Sequence, residues 1–497
     1  MNVDKMRQLS SFAEIAKRHL ALIIGLCSFG YYSLLAARGY TWVFQSSDSG
    51  DWLMTSNWFV VPQPYGSPLY ILLMRLLGTF PGNTAVWATL LLSALPSAVT
   101  VTLVYLIVDK LVGSQRIALV SALVLLGAGV FLSQSIVLEE YALTTMLLTL
   151  GFWTYLNGQR YLTALCWGLA ASIHVFVLGA VLFWLIVEWR KYLKPCLYVM
   201  VPTVVVFYSY ILLLMYLDTP RLLAGGLNMY SLKQYLTVTG GAILGQLSAF
   251  EAPKRLLLTG RLLLMSFGLA LVPLAKAVKR PLSKPVLVCL GIVVWTLWYQ
   301  VTCLDPLSWT FLTFLSPFLV VLVGVGLSRL SRTHLKYVTA SALVLIAANA
   351  AFLNANTLTN ERPLAAGYRS ALQTLPADAV VVCEPGAYSL GLYYTMSEGR
   401  PDLIPLIYPY IGHTGDAWGF DDYRDWLNRT YNLGLDDDFD TLTAIAYLKQ
   451  RGYDVYFAST PTQQSALRRA LVLGGTEFWQ VQRVTGLSGL QPEPYIK

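Results

Sequence analysis

The feature that most constrains the fold of this chain is a succession of long apolar segments separated by short polar ones. A helix that crosses a bilayer needs about 20 predominantly apolar residues. Eleven segments meet or approach this length, and they are residues 20–37, 86–108, 117–132, 140–157, 161–173, 174–188, 195–217, 257–275, 285–302, 309–328 and 337–354. The sequence therefore predicts a polytopic α-helical membrane protein.

Composition supports this class and argues against others. Of the 497 residues, 56% are apolar and only 12% are charged, whereas soluble domains carry about 25% charged residues. The net charge of +8 arises from basic clusters between apolar runs, the pattern of the positive-inside rule, so nucleic acid is not an expected partner. The six cysteines are scattered without a CxxC pair, which predicts neither a zinc site nor a disulfide framework.

The number of spans depends on whether residues 161–173 and 174–188 form two helices or one. With eleven helices and a cytoplasmic N-terminus, every basic cluster falls on the cytoplasmic side, whereas ten helices break the alternation after Arg160. The clusters are Lys110 and Arg116; Arg160; Arg190, Lys191 and Lys194; Lys276, Lys279, Arg280 and Lys284; and Arg329, Arg332 and Lys336. The positive-inside rule therefore favours eleven.

This topology divides the chain into three parts. Residues 1–18 form a cytoplasmic amphipathic N-terminus, residues 19–354 the transmembrane domain, and residues 355–497 a soluble domain outside the cytoplasm. Two outer loops are predicted, at residues 38–85 and 218–256. The apolar stretch 67–80 inside the first loop is too short to span and is predicted to be an interfacial helix.

The C-terminal part changes character after Asn354, where hydrophobicity falls. Its apolar patterns predict strands at Ala379–Cys383, Leu403–Tyr408, Asp454–Ala458 and Glu477–Val484, and helices at 388–398, 440–451 and 461–472. Strands that alternate with helices predict a small α/β domain with a mainly parallel sheet. The segment contains no GxGxxG or Walker motif, so nucleotide binding is not expected.

The first outer loop carries the most informative polar residues, Asp48 and Asp51. Carboxylates three residues apart could hold a divalent cation such as Mg²⁺ or Mn²⁺, or one could serve as a general base. Nearby aromatic residues, among them Trp52, suit either sugar stacking or an interfacial belt. The alternative is that both aspartates are solvated loop residues.

Other candidate residues lie at predicted outer helix ends. Glu139 and Glu140 stand at the edge of an apolar segment, where carboxylates are costly unless they meet water, a partner or a ligand. A helix N-terminus also favours negative charge, which could explain one of them. His174 lies between two short helices and is either a ligand or, more commonly for a lone histidine, a packed residue.

Basic residues also occur in the second outer loop, including Arg221 and Arg255. Arginine and lysine suit a phosphate or pyrophosphate group, although long outer loops also escape the charge rule. Asn428-Arg429-Thr430 in the C-terminal part fits the N-glycosylation sequon, a short and therefore unspecific pattern.

Together these residues resemble a family, the protein O-mannosyltransferase-like membrane proteins of the GT-C glycosyltransferase superfamily. Its D-S-G-E element is similar to residues 48–51, and its H-P-P-G-Y-P-L-Y element to residues 63–70. Its E-V-Y-A-L element is similar to residues 139–143 and its G-L…H element to residues 168–174, while its R-P-D-V stretch is similar to residues 400–402. In this chain Asp51 replaces a Glu, Gln63 a His, Tyr65 a Pro and Ser67 a Tyr.

The resemblance implies a GT-C-like fold and an inverting glycosyltransferase. It implies that the enzyme moves a sugar from a polyprenyl-phosphate donor to a hydroxyl of a protein or glycan acceptor at the outer membrane face. Asp48 is then the expected general base. The expected binding residues are Gln63, Tyr65, Tyr70, Glu139, Glu140, Tyr141, His174, Arg221 and Arg255. A prokaryotic chain of this kind would lie in the plasma membrane.

Two other functions remain open at this stage. A transporter or flippase of a lipid-linked sugar would also need a membrane bundle, but such proteins usually show internal repeats and ionisable residues inside their spans. No repeat is evident, and Arg261 is the one charged residue that sequence places well inside a span. A non-catalytic assembly factor would instead depend on the C-terminal part and tolerate alanine at Asp48 and Asp51.

Overall fold

The structure of the chain is a computed structural model. It describes residues 19–36, 49, 52–53, 67–81, 84–217, 252–277, 282–302, 310–356, 370–383, 399–400, 402–407, 428, 431–436, 441–458, 471–473 and 481–487. These ranges contain a large helical bundle, which holds most of the buried apolar side chains, and a five-stranded sheet near the C-terminus.

Each of the eleven predicted apolar segments contains a helix. In chain order, and with the short helices between them, they are α1 (His19–Ala36), α2 (Pro68–Gly78), α3 (Thr84–Val112), α4 (Gln115–Gly127), α5 (Gly129–Ile136), α6 (Tyr141–Leu156), α7 (Arg160–Ala171), α8 (Val177–Pro195), α9 (Val201–Leu217), α10 (Ala252–Phe267), α11 (Leu274–Ala277), α12 (Lys284–Thr302), α13 (Leu312–Leu327) and α14 (Arg332–Asn356). The helix predicted within residues 67–80 is present as α2.

Among the described residues, five helices are both long and apolar enough to cross a membrane. These spans are His19–Ala36, Thr84–Val112, Val177–Tyr210, Lys284–Val301 and Arg332–Phe352, and α4 with α5 makes a sixth if this pair, bent by 64°, is one span. Several other helices that coincide with predicted spans are shorter, such as the 16-residue α6 and the 12-residue α7. The number of eleven spans therefore stays a prediction.

Local sequence explains where the helices begin and end. Pro68 occupies the first turn of α2, where its missing N–H costs nothing. Gly113 ends α3 with a φ of 71°, a left-handed conformation that glycine adopts without a steric penalty. The Oγ of Ser114 then accepts from the N–H of Ile117 at 3.5 Å and caps α4.

One predicted loop is wrong. The basic residues at 190, 191 and 194, expected in a loop, are helical, because α8 continues through them and is interrupted only by a kink at Glu188 with φ −132° and ψ 27°. Residues 161–173 and 174–188 do form two helices, as the charge pattern predicts, and residues 172–176 form the turn between them.

Polar side chains inside the bundle are mostly satisfied by the backbone of their own helix. Thr100, Thr145 and Ser316 each donate to the carbonyl four residues earlier, at 2.7 to 2.8 Å. Such bonds allow serine and threonine to be buried in an apolar bundle without an unsatisfied hydroxyl. Ser49 and Trp52 are buried side chains that bond instead to a distant part of the chain, and both bonds end beside the N-terminus of α6.

The C-terminal sheet contains the strands β1 (Val380–Cys383), β2 (Ile404–Ile407), β3 (Val455–Ala458), β4 (Leu471–Leu473) and β5 (Val481–Leu487), in the order β2-β1-β3-β5-β4. β1 pairs in parallel with β2 and β3, whereas β5 is antiparallel to both β3 and β4. A helix α15 (Thr441–Gln450) precedes β3. Half of the pairings are therefore parallel, and the prediction of a mainly parallel sheet is only partly correct.

The deviations in this part concern its last segment. Residues 471–472, predicted to end a helix, lie in β4, and the final strand extends to Leu487 rather than ending at Val484. An apolar run as short as Leu471–Leu473 fits a strand or a helix equally well from sequence, and its pairing with β5 decides the outcome. The helix predicted at 388–398 lies outside the described residues, and the boundary at Asn354 stays a prediction.

Candidate active site

The site is built around the N-terminal end of α6, where Glu139 and Glu140 precede the first helical residue, Tyr141. The side chain of Glu140 is fully buried and that of Glu139 nearly so. The N–H of Thr144 and its Oγ1 both donate to the backbone oxygen of Glu140, at 3.0 and 2.8 Å. These bonds fix the backbone at the point where the two carboxylates leave the helix.

The first predicted outer loop is attached to this helix end at two described residues. The Oγ of Ser49 donates to the backbone oxygen of Leu138 at 2.9 Å, and the indole N–H of Trp52 donates to Oε2 of Glu140 at 2.9 Å. Both residues are buried. Asp48 and Asp51 lie outside the described residues, but each is joined by one peptide bond to one of these anchors.

Tyr70 on α2 completes the packing around Trp52. Their ring centroids are 4.7 Å apart with a near-perpendicular angle of 73°, an arrangement that aromatic pairs favour. Burial, followed by the negative charges of Glu140 and Glu139, raises the pKa of Tyr70 well above its usual value. The tyrosine is therefore a neutral phenol close to both carboxylates.

The N-terminus of α2 is itself fixed by the turn between α7 and α8. The N–H of Leu69 donates to the backbone oxygen of Ser172 at 3.1 Å. Ser67, directly before α2, is fully buried with a φ of 37°, a left-handed conformation that is strained for a residue with a Cβ. Strain of this kind is maintained by the surrounding contacts and is typical of functional sites.

His174 occupies the same turn but is enclosed by aromatic rings. It is almost fully buried, with ring centroids of Phe311, Phe314 and Tyr141 at 5.1, 5.2 and 5.8 Å. Its Nδ1 accepts from the N–H of Phe176 at 3.3 Å. Burial lowers its pKa to about 3, so the imidazole is neutral. These contacts favour the packed interpretation of this histidine over the ligand interpretation.

The remaining predicted site residues are placed as follows. Tyr141 is buried, and its ring lies 5.4 Å from those of both Phe311 and Phe314. Arg255 is half-buried in the first turn of α10. Asp48, Asp51, Gln63, Tyr65 and Arg221 lie outside the described residues, and so do Trp42 and Trp58 of the first outer loop.

Two features of the described residues were not foreseen. Trp52 was expected at the interface or against a sugar, but it is buried and hydrogen-bonded. Glu188, which ends a predicted span, is buried at the kink in α8, accepts from the hydroxyl of Tyr155 at 3.3 Å and pairs with Lys284 at 3.4 Å. No local sequence pattern indicates either contact, because both join residues far apart in the chain.

The side chain of Asn428, the asparagine of the sequon, makes structural hydrogen bonds. The amide of Asn428 donates to the backbone oxygen of Leu435 at 2.8 Å and accepts from the N–H of the same residue at 2.7 Å. Both ends of the side chain are thus used by a reciprocal pair of bonds with the backbone. This arrangement favours a structural asparagine over a glycosylated one.

Part of the chain matches a known protein family. Residues 48–196 match the family model described as Protein O-mannosyl-transferase TMEM260 N-terminal domain. The matched range begins at Asp48 and includes α2, the end of α6 and the turn at Ser172. The match confirms the predicted resemblance to protein O-mannosyltransferase-like proteins over these residues.

Solved structures define the fold. The chain is similar to ArnT from Cupriavidus metallidurans bound to undecaprenyl phosphate, with a TM-score of 0.60 and 13% identity over 97% of this chain and 100% of that one. ArnT in the apo state gives a TM-score of 0.59, also at 13% identity, over 96% of this chain and 98% of that one. No curated protein sequence matches the chain. The predicted GT-C-like membrane fold is confirmed.

Proposed function

We propose that the protein transfers a sugar from a polyprenyl-phosphate donor to an acceptor hydroxyl at the outer membrane face, with inversion at the anomeric carbon. Asp48 is the general base in this proposal. The acceptor belongs to a protein or a glycan. Both substrates meet at the end of α6, beside the loop that carries Asp48 and Asp51.

One observation carries the proposal. Ser49 and Trp52, which directly follow the two aspartates, are hydrogen-bonded to Leu138 and Glu140. Ser49, Tyr70 and Glu140, which belong to three separate elements of the family resemblance, therefore lie at one end of the bundle, since α2 packs on Trp52 through Tyr70. Elements that are distant in sequence and adjacent in the fold are what an active site requires.

In the proposed reaction, the first outer loop takes part in one proton transfer, through Asp48. The acceptor oxygen attacks the anomeric carbon from the face opposite the phosphate, and the bond between that carbon and the phosphate oxygen breaks. The acceptor proton passes to the carboxylate of Asp48, and the lipid phosphate leaves with the bonding electrons. A carboxylate within hydrogen-bond reach of the hydroxyl is the appropriate base for this step.

The leaving phosphate requires positive charge. Arg255, half-buried in the first turn of α10, and Arg221 are the candidates in this chain. Guanidinium groups bind phosphate through paired, charge-assisted hydrogen bonds. The undecaprenyl phosphate bound to ArnT, a protein of similar fold, supports a polyprenyl-phosphate ligand here. A lipid donor also explains why the enzyme is embedded in a membrane.

A divalent cation fits the chemistry of the predicted donor set, because Asp48 and Asp51 offer the hard oxygens that Mg²⁺ and Mn²⁺ prefer. Glu139 adds a further carboxylate at the same helix end. Within the described ranges, no group of three or more His, Cys, Asp or Glu side chains could hold a metal ion, and both aspartates lie outside those ranges. A bound cation would supply positive charge to the leaving phosphate.

The test is glycosyl transfer by the purified protein in lipid, with a panel of radiolabelled polyprenyl-phosphate sugars and with or without a chelator. Asp48→Asn is expected to lose at least about 100-fold in kcat, the usual contribution of a general base. The matched control is Asp378→Asn. Asp378 is exposed with a φ of 59°, a conformation that asparagine adopts as readily as aspartate, so this variant should retain full activity.

Three results would contradict the proposal. Full transfer by Asp48→Asn would remove the base assignment while leaving the enzyme class intact. A product with retained anomeric configuration would exclude the single displacement. An absence of turnover with every donor, in a folded protein that moves lipid-linked sugar between bilayer leaflets, would favour the transporter.

A further inference from the structure

The fully buried carboxylate of Glu140 and the indole of Trp52 form a hydrogen bond that joins two parts of the chain 88 residues apart. Burial of an acidic side chain is costly unless its oxygens are hydrogen-bonded. The hydrogen bond from Trp52 offsets part of this cost, so the burial of Glu140 is linked to the position of the loop at Trp52. An oxygen bonded to the indole N–H points toward the loop anchor.

The bond acts together with that of Ser49. The two anchors lie three residues apart, as Asp48 and Asp51 do, and each follows one of the aspartates directly. The bond from Ser49 ends on the backbone of Leu138, two residues before Glu140. Both anchors therefore attach to one short stretch at the entrance of α6, which is continuous with a rigid helix.

We propose that Glu140 is a positioning residue that anchors Trp52, the residue after Asp51, at the N-terminal end of α6. This inference rests on the proposed function for its effect on catalysis, but the attachment itself does not depend on any activity. Glu140 contributes an acceptor oxygen, and its negative charge is not what the loop requires. Misplacement of a reacting group by about 1 Å can cost roughly 100-fold in rate, so the loss of one anchor should be visible in kcat.

The acceptor role and a charge role can be separated with two substitutions. Glu140→Gln keeps a carbonyl oxygen that can accept from the indole, whereas Glu140→Ala removes the acceptor. Trp52→Phe removes the donor and keeps an aromatic ring against Tyr70. We expect kcat to fall about 10- to 100-fold in Glu140→Ala and in Trp52→Phe, with a KM for the donor within about threefold of wild type in both. Glu140→Gln should retain kcat within about threefold.

A double variant tests whether the two residues act as a unit. If Glu140 acts through Trp52, the variant that combines Glu140→Ala with Trp52→Phe should be no slower than the slower single variant. The matched control is Tyr155→Phe, which removes a hydrogen-bond donor to another buried carboxylate, that of Glu188. This control should leave kcat unchanged, since Glu188 lies outside the site.

A second measurement does not require activity. Hydrogen–deuterium exchange of peptides covering residues 44–55 should be faster in Glu140→Ala and Trp52→Phe than in wild type, and unchanged in Glu140→Gln and Tyr155→Phe. Glu140→Gln as slow in turnover as Glu140→Ala would overturn the proposal, because the charge would then be essential. Hydrogen–deuterium exchange in Trp52→Phe at the same rate as in wild type would overturn it as well. If wild type turns over no donor, the proposed function fails and the exchange data alone decide the attachment.

Discussion

The Oγ of Ser49 lies 2.9 Å from the backbone oxygen of Leu138, to which it donates a hydrogen bond across 89 positions of sequence. Both residues are buried. The bond places the residue after Asp48 directly against the entrance of α6. One peptide bond joins Ser49 to Asp48, so this hydrogen bond gives a direct prediction.

Ser49→Ala should slow the reaction without removing the base. A buried serine that loses its bond leaves the Leu138 carbonyl without this donor and costs about 1 kcal/mol in stability, and the greater freedom of Asp48 should lower kcat several-fold. The control is Ser316→Ala in α13, which removes a buried hydroxyl bonded to its own helix at Leu312. Steady-state kinetics of both variants test this, and equal kcat values for the two would contradict the anchor role.

His174 should make the stability of the fold sensitive to acid. Its pKa is about 3 in the folded protein and about 6.5 when unfolded, so the unfolded state binds the extra proton between these values. Stability is then unaffected above pH 6.5 and falls by up to about 1.4 kcal/mol per pH unit as the pH drops below it.

The matching variant is His174→Phe, since the site is lined by aromatic rings. The apparent melting temperature in detergent, measured at pH 7.5 and pH 5, should fall more for wild type than for this variant. The variant should also keep its transfer activity, in line with a packed residue. Equal acid sensitivity of the two proteins would show that the imidazole is protonated in the fold.

Gly326 in α13 is expected to tolerate no side chain. A Cβ at this position would lie 2.1 Å from the backbone oxygen of Pro273, which cannot rotate away. Gly326→Ala should therefore lower stability by about 1–3 kcal/mol. Gly260 in α10 has nothing within 4 Å of such a Cβ, so Gly260→Ala should be neutral or stabilising. Melting temperatures of both variants in the same detergent give the comparison.

Arg400 is expected to hold the start of β2 to the helical residues before β1. Its guanidinium donates to the backbone oxygens of Leu372 and Leu375 at 2.5 and 3.0 Å, and to both carboxylate oxygens of Asp402 at 2.6 to 3.2 Å. The planar guanidinium group of arginine can donate all of these hydrogen bonds at once, whereas the ammonium group of a lysine cannot.

Arg400→Lys should accordingly be nearly as destabilising as Arg400→Ala, which would appear as faster proteolysis within residues 370–407.

The hydrogen bond from Arg400 also holds the pKa of Asp402 below its usual value. The Asp402 contribution is therefore present at neutral pH and is lost as the pH falls below about 4, the unfolded value. Because this carboxylate is partly exposed, solvent weakens the effect. Proteolysis of Arg400→Lys at the same rate as wild type would contradict the prediction.

Much of the fold could be predicted because bilayers impose a simple requirement. The helices of the bundle follow from apolar length alone, and the separation of α7 from α8 follows from the charge of the loops. The strands β1, β2 and β3 follow from short apolar runs between turn residues. The kink at Glu188 and the strand β4 could not be predicted, since each depends on a partner, Tyr155 with Lys284 in one case and β5 in the other.

The candidate site shows the same division. Sequence by itself determined the membrane class, the helical segments and the acidic residues of the resemblance, because hydrophobic length and motif spacing are local properties of a chain. Only the tertiary structure decided that Trp52 meets Glu140, that Ser49 meets Leu138 and that aromatic rings enclose His174. These contacts join residues brought together by helix packing, and the energy of such packing depends on shape complementarity that no local pattern records.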